Sequence, residues 1–148
     1  MSIVKNLEEM ENFSKNFLAE IDKKNMFCLF GQLGAGKTTF AKFLAFHLGI
    51  KKNIISPTFN ILKVYEILKS KKKFPKYFYH IDCYRLNNSR EIVDLGFKEW
   101  VNDSENLMVI EWADKIEEIL PQQRIDIFFK HHRDLNKRIV EVVDLYKR

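Results

Sequence analysis

The sequence predicts an α/β fold in which a mostly parallel central sheet is flanked by helices and followed by a C-terminal antiparallel hairpin. Three observations lead there. Three short apolar runs read as strands: Met26-Phe27-Cys28-Leu29-Phe30, continuous as in a strand buried on both faces, and Tyr77 to Ile81 and Leu107 to Ile110. Stretches with apolar residues at steps of three and four stand before and between them. Near the end Ile125, Ile127 and Phe129 alternate with their neighbours, a polar turn follows from His131 to Asn136, and Ile139, Val140, Val142 and Val143 resume the pattern.

Taken in order, Leu7, Met10, Phe13, Phe17, Leu18 and Ile21 form one stripe of an amphipathic helix, with Asn6 and Glu9 placed as a capping box. The run from Met26 stops at Gly31, and a second helix carries Phe40, Phe43, Leu44 and Leu48 before Gly49 ends it. Ile54-Ile55 leads into Ser56-Pro57-Thr58, then an extended segment from Phe59 to about Leu68, then the solvent-facing loop KSKKKFPK. The region Ser89 to Asp94 reads as helical, and Asp114 to Leu120 as a short helix closed by Pro121. With no repeat or linker, residues 1–148 are expected to form a single domain, and 46% hydrophobic residues with thirteen Phe suffice for one core.

Lys and Arg outnumber Asp and Glu by 25 to 20, a mild attraction to polyanions and not the footprint of a dedicated nucleic-acid binder. Cys28 and Cys83 form no CxxC pair and have no His at zinc-finger spacing, so they read as small buried thiols of a reducing compartment. The N-terminal SIVKNLEEMENF lacks an apolar signal core, and no apolar run approaches membrane-spanning length. A cytoplasmic protein is expected.

The chemistry lies in GQLGAGKTT. Gly31, Gly36, Lys37 and Thr38 satisfy G-x-x-x-x-G-K-[ST], the phosphate-binding loop, between a predicted strand and a predicted helix. The fold class is therefore that of a P-loop NTPase. Glycines let the backbone N–H groups of Gly31, Gln32, Leu33, Gly34, Ala35, Gly36, Lys37, Thr38 and Thr39 curl towards phosphates, aided by the following helix N-terminus. Lys37, in a polar loop outside the core, would bridge the terminal phosphates, and Thr38 would offer its hydroxyl to Mg²⁺. Such a cation also needs a carboxylate from the end of a neighbouring strand, and Asp82 and Glu111 each end an apolar run.

A GTPase would carry N-K-x-D, but Asn136-Lys137 is followed by Arg138 and Ile139, which removes support for guanine specificity. A free-standing small-molecule kinase is the alternative, with Cys83 to Glu91 as its lid and Arg85 and Arg90 as its basic groups.

GQLGAGKTT, SPTF, HIDCYRL, LGFKEW and VIEWAD, in that order and at compact spacing, resemble the TsaE (YjeE) family of bacterial ATPases across nearly the whole chain. The resemblance implies an ATP- and Mg²⁺-dependent component of the machinery that installs threonylcarbamoyl on the adenosine at tRNA position 37. Such a component hydrolyses ATP while docked on its partners TsaB and TsaD, the transfer itself belonging to TsaD. By the same resemblance the nucleotide loop is Gly31 to Thr39, Glu111 is linked to magnesium, and Asp82 organises metal or water. The residues leave open which carboxylate touches the metal directly. Ser56, Pro57 and Thr58 resemble a switch loop, with Thr58 sensing the terminal phosphate or Pro57 merely fixing a turn. Asn6 falls where family members contact the base, and Arg138 near a basic position of the last hairpin. Trp112 is either core or a stacking surface. Gln32 stands where the family usually has an acidic residue, which leaves every group the motif requires. Lys71, Lys72, Lys73 and Lys76 are either a solvated hairpin tip or a contact for tRNA phosphates.

Overall fold

In the computed structural model all residues are described except 22–23, 51–53, 56, 58, 69–74, 135 and 148. Helix α1 (Leu7–Glu20) starts where Asn6 is extended and its side chain accepts from the Glu9 N–H at 2.9 Å. The reciprocal arm of the capping box is displaced by one residue, since Glu9 Oε2 accepts from the N–H of Lys5 instead of Asn6. Strand β2 (Met26–Gly31) is followed by the glycine loop and by α2 (Lys37–His47).

Among the described residues seven strands form one sheet, in the order β1-β7-β6-β2-β5-β4-β3. The others are β1 (Ser2–Val4), β3 (Leu62–Glu66), β4 (Tyr77–Asp82), β5 (Asn106–Glu111), β6 (Ile125–His131) and β7 (Arg138–Asp144). Strands β6, β2, β5 and β4 are mutually parallel, while β7, β1 and β3 join through antiparallel pairs. The predicted mostly parallel sheet and C-terminal hairpin are both present.

Because side chains alternate across a strand, each strand feeds two cores. Phe27, Leu29, Phe78, Val109, Ile127 and Phe129 face α1 and α2. There Phe17 packs edge-on to Phe27 and Phe40 at 5.1 and 5.4 Å between centroids. Full burial of Phe27 and Phe40 stabilises the fold by about 1.5–3 kcal/mol each. Cys28, Phe30, Ile81, Met108 and Ile110 face α3 (Arg90–Asp94), α4 (Phe97–Asn102) and a 3₁₀ segment, Ala113–Ile119. Both cysteines are buried free thiols whose pKa burial pushes up, as expected of packing residues.

Three expectations need correction. The extended segment after Phe59 is a strand only at Leu62–Glu66, Phe59 and Asn60 being in a turn. Strand β1 and helix α4 were not expected at all. Lys37 is not outside the core: it is the first residue of α2 and only 4% exposed.

The sheet brings the carboxyl ends of β2, β5 and β4 side by side, with Leu29 opposite Glu111 and Glu111 opposite Asp82. In an open α/β sheet this edge is where ligands bind. Gly31 is needed there for a steric reason: at φ 140°, a Cβ would lie 2.2 Å from the Phe129 carbonyl oxygen of the adjacent strand. Gly31→Ala is expected to destabilise the fold by about 3 kcal/mol, the upper end for overpacking, visible as a lowered midpoint in denaturant; an unchanged midpoint would contradict this.

Candidate functional site

The loop leaving β2 is shaped by glycine conformation. Gly34 and Gly36 have φ of 73° and 110°, and the Ala35 N–H closes a turn onto the Gln32 carbonyl at 3.2 Å. Gly36 is the N-cap of α2 and makes no side-chain cap bond there. The first N–H groups of α2 are thus left for something else, which is the arrangement that receives an anion.

Lys37 folds back over this loop. Its Nζ donates to the Gly31 carbonyl at 2.6 Å and to that of Gln32 at 2.9 Å, and it lies 3.9 Å from the centre of the Trp112 ring. Burial lowers its pKa, with Glu111, Asp114 and Asp82 pulling the other way. An ammonium held by carbonyl oxygens and an aromatic face keeps its charge with no carboxylate bonded to it among the described residues, and charge-assisted bonds to an anion are stronger than those to neutral carbonyls.

Thr38, Glu111 and His80 form a chain beside it. Thr38 Oγ1 donates to Glu111 Oε2 at 2.7 Å, and His80 Nε2 meets Glu111 Oε1 at 2.7 Å. Asp82, 4% exposed, accepts from the Tyr84 N–H at 3.0 Å. Thr38, Glu111 and Asp82, together with Gly34, Lys37 and Trp112, line a cleft of about 300 Å³, while His80 stays buried behind it. Thr38, Glu111 and Asp82 are the side chains here that could hold a hard, oxygen-seeking cation, and the donor set fits one that takes its remaining ligands from phosphate and water. Trp112, half-buried at φ 57° and 4.8 Å from the Tyr84 ring, is a cleft wall as well as part of the core.

A second cleft of about 190 Å³ adjoins the first through Gly34, Gly36 and Thr39, and is bordered by Asn6, Asn136 and Arg138. Arg138 Nε donates to the Gly34 carbonyl at 3.2 Å, and His131 Nε2 lies 3.1 Å from that of Leu33. The hairpin thus holds loop carbonyls outward, which leaves the loop's N–H groups for the inside.

Most of the expected residues therefore converge at one edge. Gly31 and Gln32 contribute their carbonyls to Lys37, while the side chain of Gln32 is exposed. Thr58 and Ser56 of the expected switch loop, and Lys71, Lys72 and Lys73, lie outside the described residues; Lys76 is ion-paired with Glu105. Arg85, the candidate lid cation, is stacked on Phe59 at 4.2 Å. Sequence reasoning missed His80, Tyr84, His131 and Asn136 as site residues. For His80 a signal existed, because it stands two residues before Asp82 and strand alternation puts both on one face. Among the described residues no helix is long and apolar enough to cross a membrane.

Comparison with known proteins identifies the family. The family profile described as Threonylcarbamoyl adenosine biosynthesis protein TsaE matches residues 4–140. The tRNA threonylcarbamoyladenosine biosynthesis protein TsaE of Rickettsia prowazekii (strain Madrid E) is 38% identical, over 96% of this chain and 93% of its own. The protein of the same name from Bacillus subtilis (strain 168) is 39% identical over 90% of this chain and 79% of its own. The crystal structure of Bacillus subtilis YdiB superposes with a TM-score of 0.75 at 33% identity, covering 97% of this chain and 84% of that one. The profile match over residues 4–140 and these relatives, similar over nearly the whole chain, place it in the TsaE family, which serves the biosynthesis of threonylcarbamoyladenosine in tRNA.

Proposed function

We propose that residues 1–148 act as one cytoplasmic ATPase domain that binds ATP with Mg²⁺ in the Lys37 cleft and hydrolyses it. In this reading hydrolysis is slow alone and is coupled to docking on the TsaB–TsaD pair, with the transfer to tRNA left to that pair. The observation that carries it is the direct bond from Thr38 to Glu111 beside a buried Lys37, at the end of the parallel strands.

Backbone N–H groups from Leu33 to Thr39 receive the phosphates, and Lys37 leaves the carbonyls of Gly31 and Gln32 for the terminal ones. Mg²⁺, when bound, supplies charge neutralisation between those phosphates. Thr38 and Glu111 hold its position, and Asp82 orients the attacking water. Asn6, Thr39 and Arg138 border the adjoining cleft, which suits the nucleoside. Thr58 is assigned to sensing the terminal phosphate.

A pull-down with and without ATP, scored for TsaB, TsaD and tRNA, tests the coupling. Retention of TsaB and TsaD should rise with ATP, and tRNA should follow only when they are present. Docking indifferent to nucleotide, or no docking, would overturn this reading.

A further inference from the structure

His80 is a polar residue in an apolar layer. It is 0% exposed, and on its face of the sheet Phe78 precedes it and Val109 of β5 lies beside it, with Lys63 its partner on β3 and Asp82 two residues on. Its Nε2 is bonded to Glu111 Oε1, while its Nδ1 is buried with no partner among the described residues. A half-satisfied polar side chain in a core is costlier than an apolar one of similar size, so packing alone does not favour histidine here.

The bond it makes has a direction. A carboxylate oxygen accepts, so Nε2 is the donor of this bond and Nδ1 is the ring atom left over. With Oε1 fixed in this way, the plane of the Glu111 carboxylate is set and Oε2 faces Thr38, whose hydroxyl proton it takes at 2.7 Å. The lone pairs of Thr38 Oγ1 are then left for a ligand. Neither Thr38 nor Glu111 could hold this arrangement by itself, because a carboxylate end group rotates over a broad range.

We propose that His80 is a positioning residue for the metal-linked pair Thr38 and Glu111, acting through Glu111 and touching neither nucleotide nor cation. This rests on the reading above that Thr38 and Glu111 serve Mg²⁺. It predicts that His80 governs how much Mg²⁺ the protein needs, not how well it holds nucleotide without metal.

The test is binding of a non-hydrolysable ATP analogue to the full chain across a Mg²⁺ titration. His80→Leu should raise the Mg²⁺ concentration for half-maximal tightening about 10- to 100-fold, the usual loss when a residue supporting a metal ligand is removed, and leave metal-free affinity within about twofold. His80→Gln, whose amide N–H reaches about as far as Nε2, should restore most of the Mg²⁺ response, while His80→Asn, one methylene shorter, should not. An unshifted Mg²⁺ midpoint in His80→Leu, or equal weakening with and without Mg²⁺, would overturn the proposal. Should the leucine variant fail to fold, equal midpoints for the Gln and Asn variants would overturn it instead. If the unaltered protein binds the analogue with no response to Mg²⁺, the metal reading itself falls, and the role of His80 with it.

Discussion

Lys37→Ala is expected to weaken ATP binding about 100-fold, the loss of two charge-assisted hydrogen bonds at roughly 1.5 kcal/mol each. The chain should nevertheless fold. Lys37 is buried, but what it contributes there is an ammonium against Trp112 and two carbonyls and not apolar packing. Burial lowers its pKa from 10.5, so holding the charge in the folded state is unfavourable. The sign follows by linkage: between the lowered folded value and 10.5 the unfolded chain binds more protons, and the native chain gains stability as pH rises through that window. Lys37→Met lacks this gain. It should melt no lower than the unaltered protein near neutral pH, and any advantage should shrink towards pH 10.5. Calorimetric titration with ATP and thermal melts at two pH values check both statements; unchanged ATP affinity in Lys37→Ala would remove the lysine from the site.

Glu111→Gln and Asp82→Ala are expected to lower ATP turnover by about 100-fold or more, the scale on which groups that position a proton or a water act. Metal-free nucleotide binding should stay nearly unchanged. Each carboxylate stands at the end of a buried strand, 2% exposed for Glu111 and 4% for Asp82, in paired register. Their roles should separate under Mg²⁺ titration, because Glu111 is bonded to Thr38 and Asp82 accepts from the Tyr84 backbone. Single-turnover hydrolysis resolves chemistry from binding. If both variants keep ATP binding, turnover and tRNA modification, neither carboxylate is catalytic and the chain is a nucleotide-gated binding module.

Much of this site could be read from the chain because its determinants are local. Asn6 caps α1 through a bond three residues long, and the glycines of the loop set their own dihedrals. The apolar run of β2 and the stripe of α2 are likewise contiguous, so strand, loop and helix could be assigned without tertiary information. What escaped has distant partners. Strand β1 is three residues, too short for a period, and exists because Ser2 to Val4 pair with Val140 to Arg138. Helix α4 follows Gly96 at φ 106° and is held by burial of Phe97 rather than by any repeating stripe. The burial of Lys37 arises from Trp112, and the bond of His80 to Glu111 crosses from β4 to β5. The same holds for the hairpin groups His131 and Arg138 on the loop, which meet it only once β6 and β7 are folded alongside β2.

In the proposed function this cleft hydrolyses ATP under the control of the TsaB–TsaD pair. The direct measurement is phosphate release from ATP with Mg²⁺, for this protein alone and with the pair added. Slow release alone, accelerated by the pair and abolished by Lys37→Ala, is the expected result. Release that is indifferent to the pair, or equally fast in Lys37→Ala, would contradict it.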